Sequence, residues 1–220
     1  MRSNDAIETV PNSSDKQATV FIVEDDPLVR RSISFLVRSV GLEAATYELA
    51  QSFINKYEAD SPGCLVLDVR LPGMTGLELQ QKLARLNIEI PIIFITAYAE
   101  IPLATAALRA GAVDFLCKPF SPQALLERIH EAISIDRKRR DVKAKQREIS
   151  YRVSTLTERE REVMPYLANG DETKVIAKRL GISPKTVDNH RTKILEKMGV
   201  QNTAQLARQF VEQTLVSNSN

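Results

Sequence analysis

Tryptophan is absent from the 220 residues, and aromatic side chains make up only 5% of them. Little is left with which to stack unpaired bases, which speaks against a platform for single-stranded nucleic acid. The two cysteines, Cys64 and Cys117, stand far apart with neither a second cysteine nor a histidine close by. That spacing builds no disulfide framework and no zinc site; it suits a reducing compartment, with both thiols expected in the interior. No apolar run approaches the ~18 residues of a membrane span. The longest, Ile90 to Ala97, is strand-sized and interrupted by Pro91. The first residues, MRSNDAIETVPNSSDKQ, are polar and acidic where an export signal needs a basic start and an apolar stretch. A cytoplasmic protein without a membrane partner is the expectation.

What is present is ordinary globular material, 43% hydrophobic and 26% charged. This is enough for a real core and, at this length, for one large domain or two small ones, with two the favoured count. The formal net charge of +2 hides an uneven distribution. Residues 1–135 have an acidic excess, 136–153 a strong basic excess and 154–220 a slight one. An acidic front suits a cation site and a basic back suits a polyanion. The plainer alternative is a solvated charged helix over 136–152, and charge alone favours it.

Short apolar runs at 19–23, 44–47, 64–67, 92–96 and 114–117 alternate with helical patterns that begin near Pro27, Leu49, Gly76, Pro102 and Ser121. Strands alternating with helices predict a parallel sheet covered on both faces, with its site at the C-terminal strand ends. Those ends read Glu24-Asp25-Asp26, Asp68, Thr96 and Lys118-Pro119. Carboxylates gathered together repel unless a cation sits among them, and oxygen ligands without His or Cys point to magnesium. A hydroxyl and an ammonium nearby suit a phosphoryl group. Asp26 before Pro27 is equally explained as a helix cap.

Val23-Glu-Asp-Asp26, Leu67-Asp-Val-Arg-Leu-Pro-Gly-Met-Thr-Gly76, Ile95-Thr-Ala97 and Lys118-Pro-Phe120 resemble, in order and spacing, the signature of bacterial two-component receiver domains. The resemblance covers 18–133 and implies a doubly wound sheet of order 2-1-3-4-5. It makes Asp68 the phosphoacceptor, served by a sensor histidine kinase. Mg²⁺ would be bound by Asp25 and Asp68 directly, by Glu24 through water and by the Arg70 backbone carbonyl, while Thr96 and Lys118 would contact phosphoryl oxygens. Glu24 departs from the Asp common in receivers. Thr96 and Phe115 take the positions of the family's switch pair, with 102–116 as the output and dimer face. Read as a residue, Phe115 fits a core phenylalanine equally well.

No Gly or Pro interrupts the chain between Gln123 and Val163, so a charged helical linker is expected over 134–153. Ile135, Val142, Ile149 and Leu156 recur every seven residues, but Arg139 and Gln146 break the companion seam.

Thr157 and Glu160 form the signature of a capping box, and a helix, a turn at Gly181 and a second helix from Pro184 to Met198 follow. Thr173 is placed to cap the helix before that turn. Pro165 falls inside the helix from Glu158 to Ala168 and predicts a kink near Arg161 to Met164.

Leu156-Thr-x-Arg-Glu-x-Glu-Val163, Gly170, Lys174-x-Ile-Ala177, Thr186-Val187, His190 and Lys197-Met198 resemble the all-α, four-helix DNA-binding domain of LuxR-type regulators over 154–216. The two resemblances together imply a response regulator of the NarL/FixJ family that binds double-stranded promoter DNA, with RNA polymerase a further partner. Segments 1–17 and 217–220 are expected to be disordered. Asp188, Asn189 and Thr192 are the expected base contacts, with Thr186 beside them. Lys174, Lys185, Arg191 and Lys193 face phosphates. Asn189 can pair with adenine, whereas Asp188 either accepts from a cytosine amino group or reads little. His190 is expected to pack rather than read. The enzymatic rival, a haloacid-dehalogenase-like phosphatase, would carry its nucleophile after the first strand; here the candidate follows the third.

Overall fold

A computed structural model describes residues 17–58, 61–97 and 101–217. The two terminal segments expected to be disordered lie outside the described residues, Gln17 and Ser217 apart. The chain divides after Arg140 into two compact units.

In the first unit β1 (Thr19–Val23), β2 (Glu43–Tyr47), β3 (Gly63–Asp68), β4 (Ile92–Thr96) and β5 (Asp114–Cys117) alternate with α1 (Pro27–Ser39), α2 (Ala50–Lys56), α3 (Gly76–Arg85), α4 (Ile101–Arg109) and α5 (Pro122–Ser154), whose residues past Arg140 belong to the second unit. All strand pairs are parallel and the order is β2-β1-β3-β4-β5. Because side chains alternate along a strand, the sheet has two apolar faces. Val20, Ile22, Val66, Ile93 and Ile95 pack with Ile33 and Val37 of α1 and Leu125 and Ile129 of α5. Phe21, Leu65, Leu67 and Phe94 pack with Phe53 of α2, Leu79 and Leu83 of α3 and Ala107 of α4.

The two cysteines part company. Cys64 is buried in the central strand, and burial pushes its thiol well above the usual range. Cys117, expected in the interior, is exposed. It ends an edge strand, where the sheet has a neighbour on one side only.

α5 runs unbroken for 33 residues. Its start is capped by Ser121, whose hydroxyl accepts from the Ala124 amide at 3.0 Å. Past Ile133 it remains attached to the first unit: the buried Asp136 accepts from the Gly63 amide at 2.8 Å and from Arg140 at 2.7 Å. Arg140 also donates to the Ser61 carbonyl at 2.8 Å. Half of the heptad seam is taken up by the second core. Ile135 is half-buried, Ile149 and Leu156 lie in the second core, and only Val142 is exposed.

The second unit contains α6 (Glu158–Ala168), α7 (Thr173–Leu180), α8 (Pro184–Met198) and α9 (Thr203–Ser217). They close on Leu156, Val163, Leu167, Ile176, Val187, Ile194 and Leu206. α6 continues through Pro165 as one element. Pro165 and Arg161, whose carbonyl lacks an amide partner from the proline, are both exposed, where water is at hand to replace the missing bond.

The capping box forms as expected, with Thr157 and Glu160 exchanging bonds of 2.9 and 3.3 Å. Glu160 is 2% exposed and also meets Lys197 at 2.6 Å. Burial raises its carboxyl pKa, but the bonds from Lys197 and Thr157 outweigh this and hold it below the ordinary value of 4.5. A depressed carboxyl pKa gives stability that is present above the unfolded value and lost as pH falls through the folded one. Glu160→Gln is therefore expected to cost this unit about 1 kcal/mol at neutral pH and to lose less as the solution is acidified below about pH 4.5. Hydrogen exchange of the α6 amides across that range checks it. An equal acid loss in both proteins would place the titrating group elsewhere.

Candidate functional site: an acidic pocket and a helix-turn-helix

The pocket is assembled by strand ends. β1 delivers Glu24 and Asp25 at its C-terminal edge, and Asp26 turns the chain into α1 by accepting from the Leu28 and Val29 amides at 2.7 and 3.3 Å. Arg30, one turn into α1, holds the Glu24 and Asp25 carbonyls at 2.5 and 2.9 Å. β3 ends on Asp68, whose Oδ1 accepts from the Arg70 amide at 2.8 Å. Thr96 ends β4 one residue past the Asp68–Ile95 pair, and its carbonyl accepts from the Lys118 amide at 2.6 Å. The Lys118–Pro119 peptide is cis.

Lys118 joins these ends. Its ammonium lies 2.7 Å from Glu24 Oε2 and 2.5 Å from Asp68 Oδ2. Glu24, Asp68 and Thr96 are all buried, while Asp25 is exposed. Burial raises the Glu24 carboxyl to about 7; Lys118 pulls it down and the facing Asp68 pushes it up. Burial works against the Lys118 ammonium too, yet the bonds from Asp68 and Glu24 prevail and hold it above the usual lysine range. Gly76 lets α3 start against this wall, since a Cβ there would come within 2.4 Å of the Asp68 carbonyl oxygen.

In the second unit α7 stops at Gly181, whose φ of 66° is the left-handed conformation that favours glycine. Ser183 then caps α8 by accepting from the Thr186 amide at 3.1 Å, with Pro184 at the first helical position. Helix, tight turn and helix are thus packed as a helix-turn-helix over a shared core.

Residues 20–130 match the response regulator receiver domain, and residues 154–210 match the luxR family of bacterial regulatory proteins. The chain is 45% identical over 192 residues to Nodulation protein W of Bradyrhizobium diazoefficiens, covering 87% of this chain and 85% of that one. It is 35% identical over 189 residues to the transcriptional regulatory protein FixJ of the same species, covering 86% and 92%. The chain is a response regulator of the NarL/FixJ family. Among solved structures, the response regulator StyR superposes with a TM-score of 0.84 at 40% identity, covering 89% of this chain and 99% of that one.

The regulator's receiver brings every sequence-assigned pocket residue to one edge of the sheet. Carboxylate oxygens of Glu24, Asp25 and Asp68 lie within 4.8 Å of one another, and the Arg70 backbone follows Asp68 in the same loop. Three hard oxygen donors without His or Cys fit a magnesium ion. Phe115 is half-buried with its ring 6.3 Å from that of Phe94, so it lies partly in the core. On the stretch from Pro102 to Leu116, Ala107 is buried and Leu108 is 45% exposed.

The residues assigned to DNA divide into two sets. Lys174 on α7 and Lys185, Asp188, Asn189, Thr192 and Lys193 on α8 are exposed. Thr186 is half-buried with its hydroxyl on Ser183 at 2.8 Å, and Arg191 is half-buried. Thr173 does not cap α7. Glu172 takes that position without a side-chain bond, and the Thr173 hydroxyl turns to α8 instead. His190 is half-buried, as expected of a packing residue. Sequence reasoning missed Arg30, because no periodicity announces an arginine that holds the preceding loop's carbonyls. It also missed Arg152, which donates to the Met198 carbonyl at 2.6 Å across 46 residues.

Proposed function

We propose that the regulator is switched by phosphorylation of Asp68 from a sensor histidine kinase and that the phosphorylated form dimerises on promoter DNA. The observation that carries this reading is a buried carboxylate at a strand end, within reach of a fixed ammonium and of two further carboxylates. Asp68 Oδ2 would attack phosphorus, forming one P–O bond as the bond to the donor breaks and its electron pair leaves with the donor group. Lys118 would exchange its contact with the Asp68 carboxylate for a phosphoryl oxygen and offset charge there, and the Thr96 hydroxyl would donate to another. Magnesium, held by Asp25, Asp68, the Arg70 carbonyl and, through water, Glu24, would supply the remaining positive charge. Water would later cleave the acyl phosphate. This is a timed switch and not turnover of an external substrate.

The output reading assigns 18–133 to the switch, 134–153 to the linker and 154–216 to DNA. Thr96 and Phe115 would move together and remodel 102–116, the dimer face, so that two linked reading heads gain affinity through effective concentration. α8 would enter the major groove with Asn189 and Thr192 near bases and Lys185, Lys193 and Lys174 near phosphates. RNA polymerase is a further contact of such a regulator. Among the described residues no helix is long and apolar enough to cross a membrane, in keeping with a cytoplasmic site of action.

Incubation with Mg²⁺ and acetyl phosphate is expected to add one acid-labile phosphoryl group, to shift sedimentation from monomer to dimer and to tighten DNA binding. No phosphoryl group would refute the switch. A phosphoryl group with unchanged sedimentation would refute dimerisation and leave unmasking of the DNA-binding unit as the mode of activation.

A further inference from the structure

The exposed face of α8 carries an acid, Asp188, in the midst of its polar and basic side chains. Lys185, Asp188, Asn189, Thr192 and Lys193 are all exposed, and their spacing of three and four residues sets them on one side of the helix. A carboxylate in the middle of a surface that meets phosphates is unfavourable unless a cation offsets it. Asp188 is offset from within its own unit. Its Oδ1 lies 3.3 Å from Arg191 Nη1 and accepts from the Thr173 hydroxyl at 3.2 Å. The Thr173 oxygen in turn accepts from Arg191 Nη2 at 2.9 Å. Arg191 Nε is buried and makes no hydrogen bond, so the guanidinium is drawn against the packed helices and not extended into solvent. Three side chains from two helices thus close a ring that engages Arg191, one of the cations expected to face a phosphate.

We propose that Asp188 is a positioning residue that withholds Arg191 from the DNA backbone, lowering affinity for arbitrary duplexes and leaving discrimination to Asn189 and Thr192. The proposal rests on the reading of α8 as the DNA-facing helix. It replaces a base contact at Asp188 and a phosphate contact at Arg191 by a contact between the two. An exposed ion pair is weak by itself, and a polyanion competes for the arginine. The bonds through Thr173, which joins Asp188 to Arg191, are what tip that competition toward the protein. Each phosphate neutralised adds affinity to every sequence alike, so releasing Arg191 would raise general binding and narrow the gap to a preferred site.

The test uses the full-length protein with two probes, a mixed-sequence duplex and the duplex that the wild type enriches from a randomised pool, each titrated at several salt concentrations. Asp188→Ala is expected to bind the mixed-sequence duplex several-fold more tightly, with a salt slope steeper by about one unit and a smaller preference for the enriched duplex. Adding Arg191→Ala should reverse the tightening and the slope, which a merely structural role of Asp188 would not produce. Thr173→Val, which removes a single hold while keeping the side chain's shape, should move all three quantities the same way by a smaller amount; it decides the matter should Asp188→Ala fold poorly. If Asp188→Ala weakens only the enriched duplex at an unchanged salt slope, Asp188 reads a base and the proposal is overturned. Unchanged affinity and slope overturn it equally. A wild type that enriches nothing and binds the mixed duplex without salt dependence would instead refute the α8 reading, and the proposal with it.

Discussion

Asp68→Asn is expected to abolish phosphoryl incorporation while leaving the receiver folded and no less stable. The carboxamide has nearly the volume of the carboxylate and keeps an oxygen for the Arg70 amide, which Asp68 holds at 2.8 Å. It does not offer the anionic oxygen that attacks phosphorus. Stability follows from the charges. Asp68 faces Glu24 across one shared ammonium, and its charge is among the causes that raise the Glu24 carboxyl to about 7. Neutralising it removes that repulsion, which offsets the loss of the Lys118–Asp68 ion pair, while Lys118 keeps its bond to Glu24 at 2.7 Å. Mass measurement of the intact protein after acetyl phosphate treatment, with a thermal melt beside it, reads both halves. Incorporation at the wild-type rate would move the acceptor elsewhere, and a collapsed receiver would mean that Asp68 holds the fold.

Gly63→Ala is expected to be the most damaging small substitution in the receiver. Gly63 opens β3 opposite Thr19 of β1, with φ at 151°. A Cβ built there would lie 1.8 Å from the Thr19 carbonyl oxygen and 2.8 Å from its carbon. Both are backbone atoms of the central strand pair, so no side chain can swing aside. Either the strands part or Gly63 changes conformation, and the second course pulls its amide off the buried Asp136 carboxylate. About 3 kcal/mol or more of receiver stability should go, at the top of the range for overpacked cores. Denaturant unfolding followed by a receiver probe measures it. A loss below about 0.5 kcal/mol, the scale of an ordinary surface change, would show that β1 and β3 yield more easily than the geometry allows.

The sheet and its pocket were legible in the sequence because both depend on local patterns. Four of the five apolar runs end in or lead into polar residues, and a parallel sheet brings such ends together whatever the intervening helices do. Thr157 with Glu160, and Gly181 before Ser183 and Pro184, were equally plain, since a cap is written within four residues. What stayed hidden depends on partners distant in the chain. Asp136 looked like linker because nothing near it shows that its carboxylate is met by Gly63, 73 residues away. Thr173 had the right chemistry for a cap and found Asp188 and Arg191 instead. The period of seven has a related origin: Ile149 and Leu156 keep it while being buried in the second core. The exposure of Cys117 turns on which strand lies at the edge, a property of topology that composition does not carry.

The two outer strands have a bearing on how the protein behaves when many copies share a small volume. An unpaired strand edge is a template on which another chain can anneal, and the hazard grows with the length of that edge. Here β2 has five residues and β5 four, and one residue beyond β5 stands Pro119, which has no amide hydrogen to offer. Neither edge is long enough to start a ribbon of copies. Short edges of this kind give another chain little to anneal on, so association through the sheet is disfavoured as the protein's concentration rises.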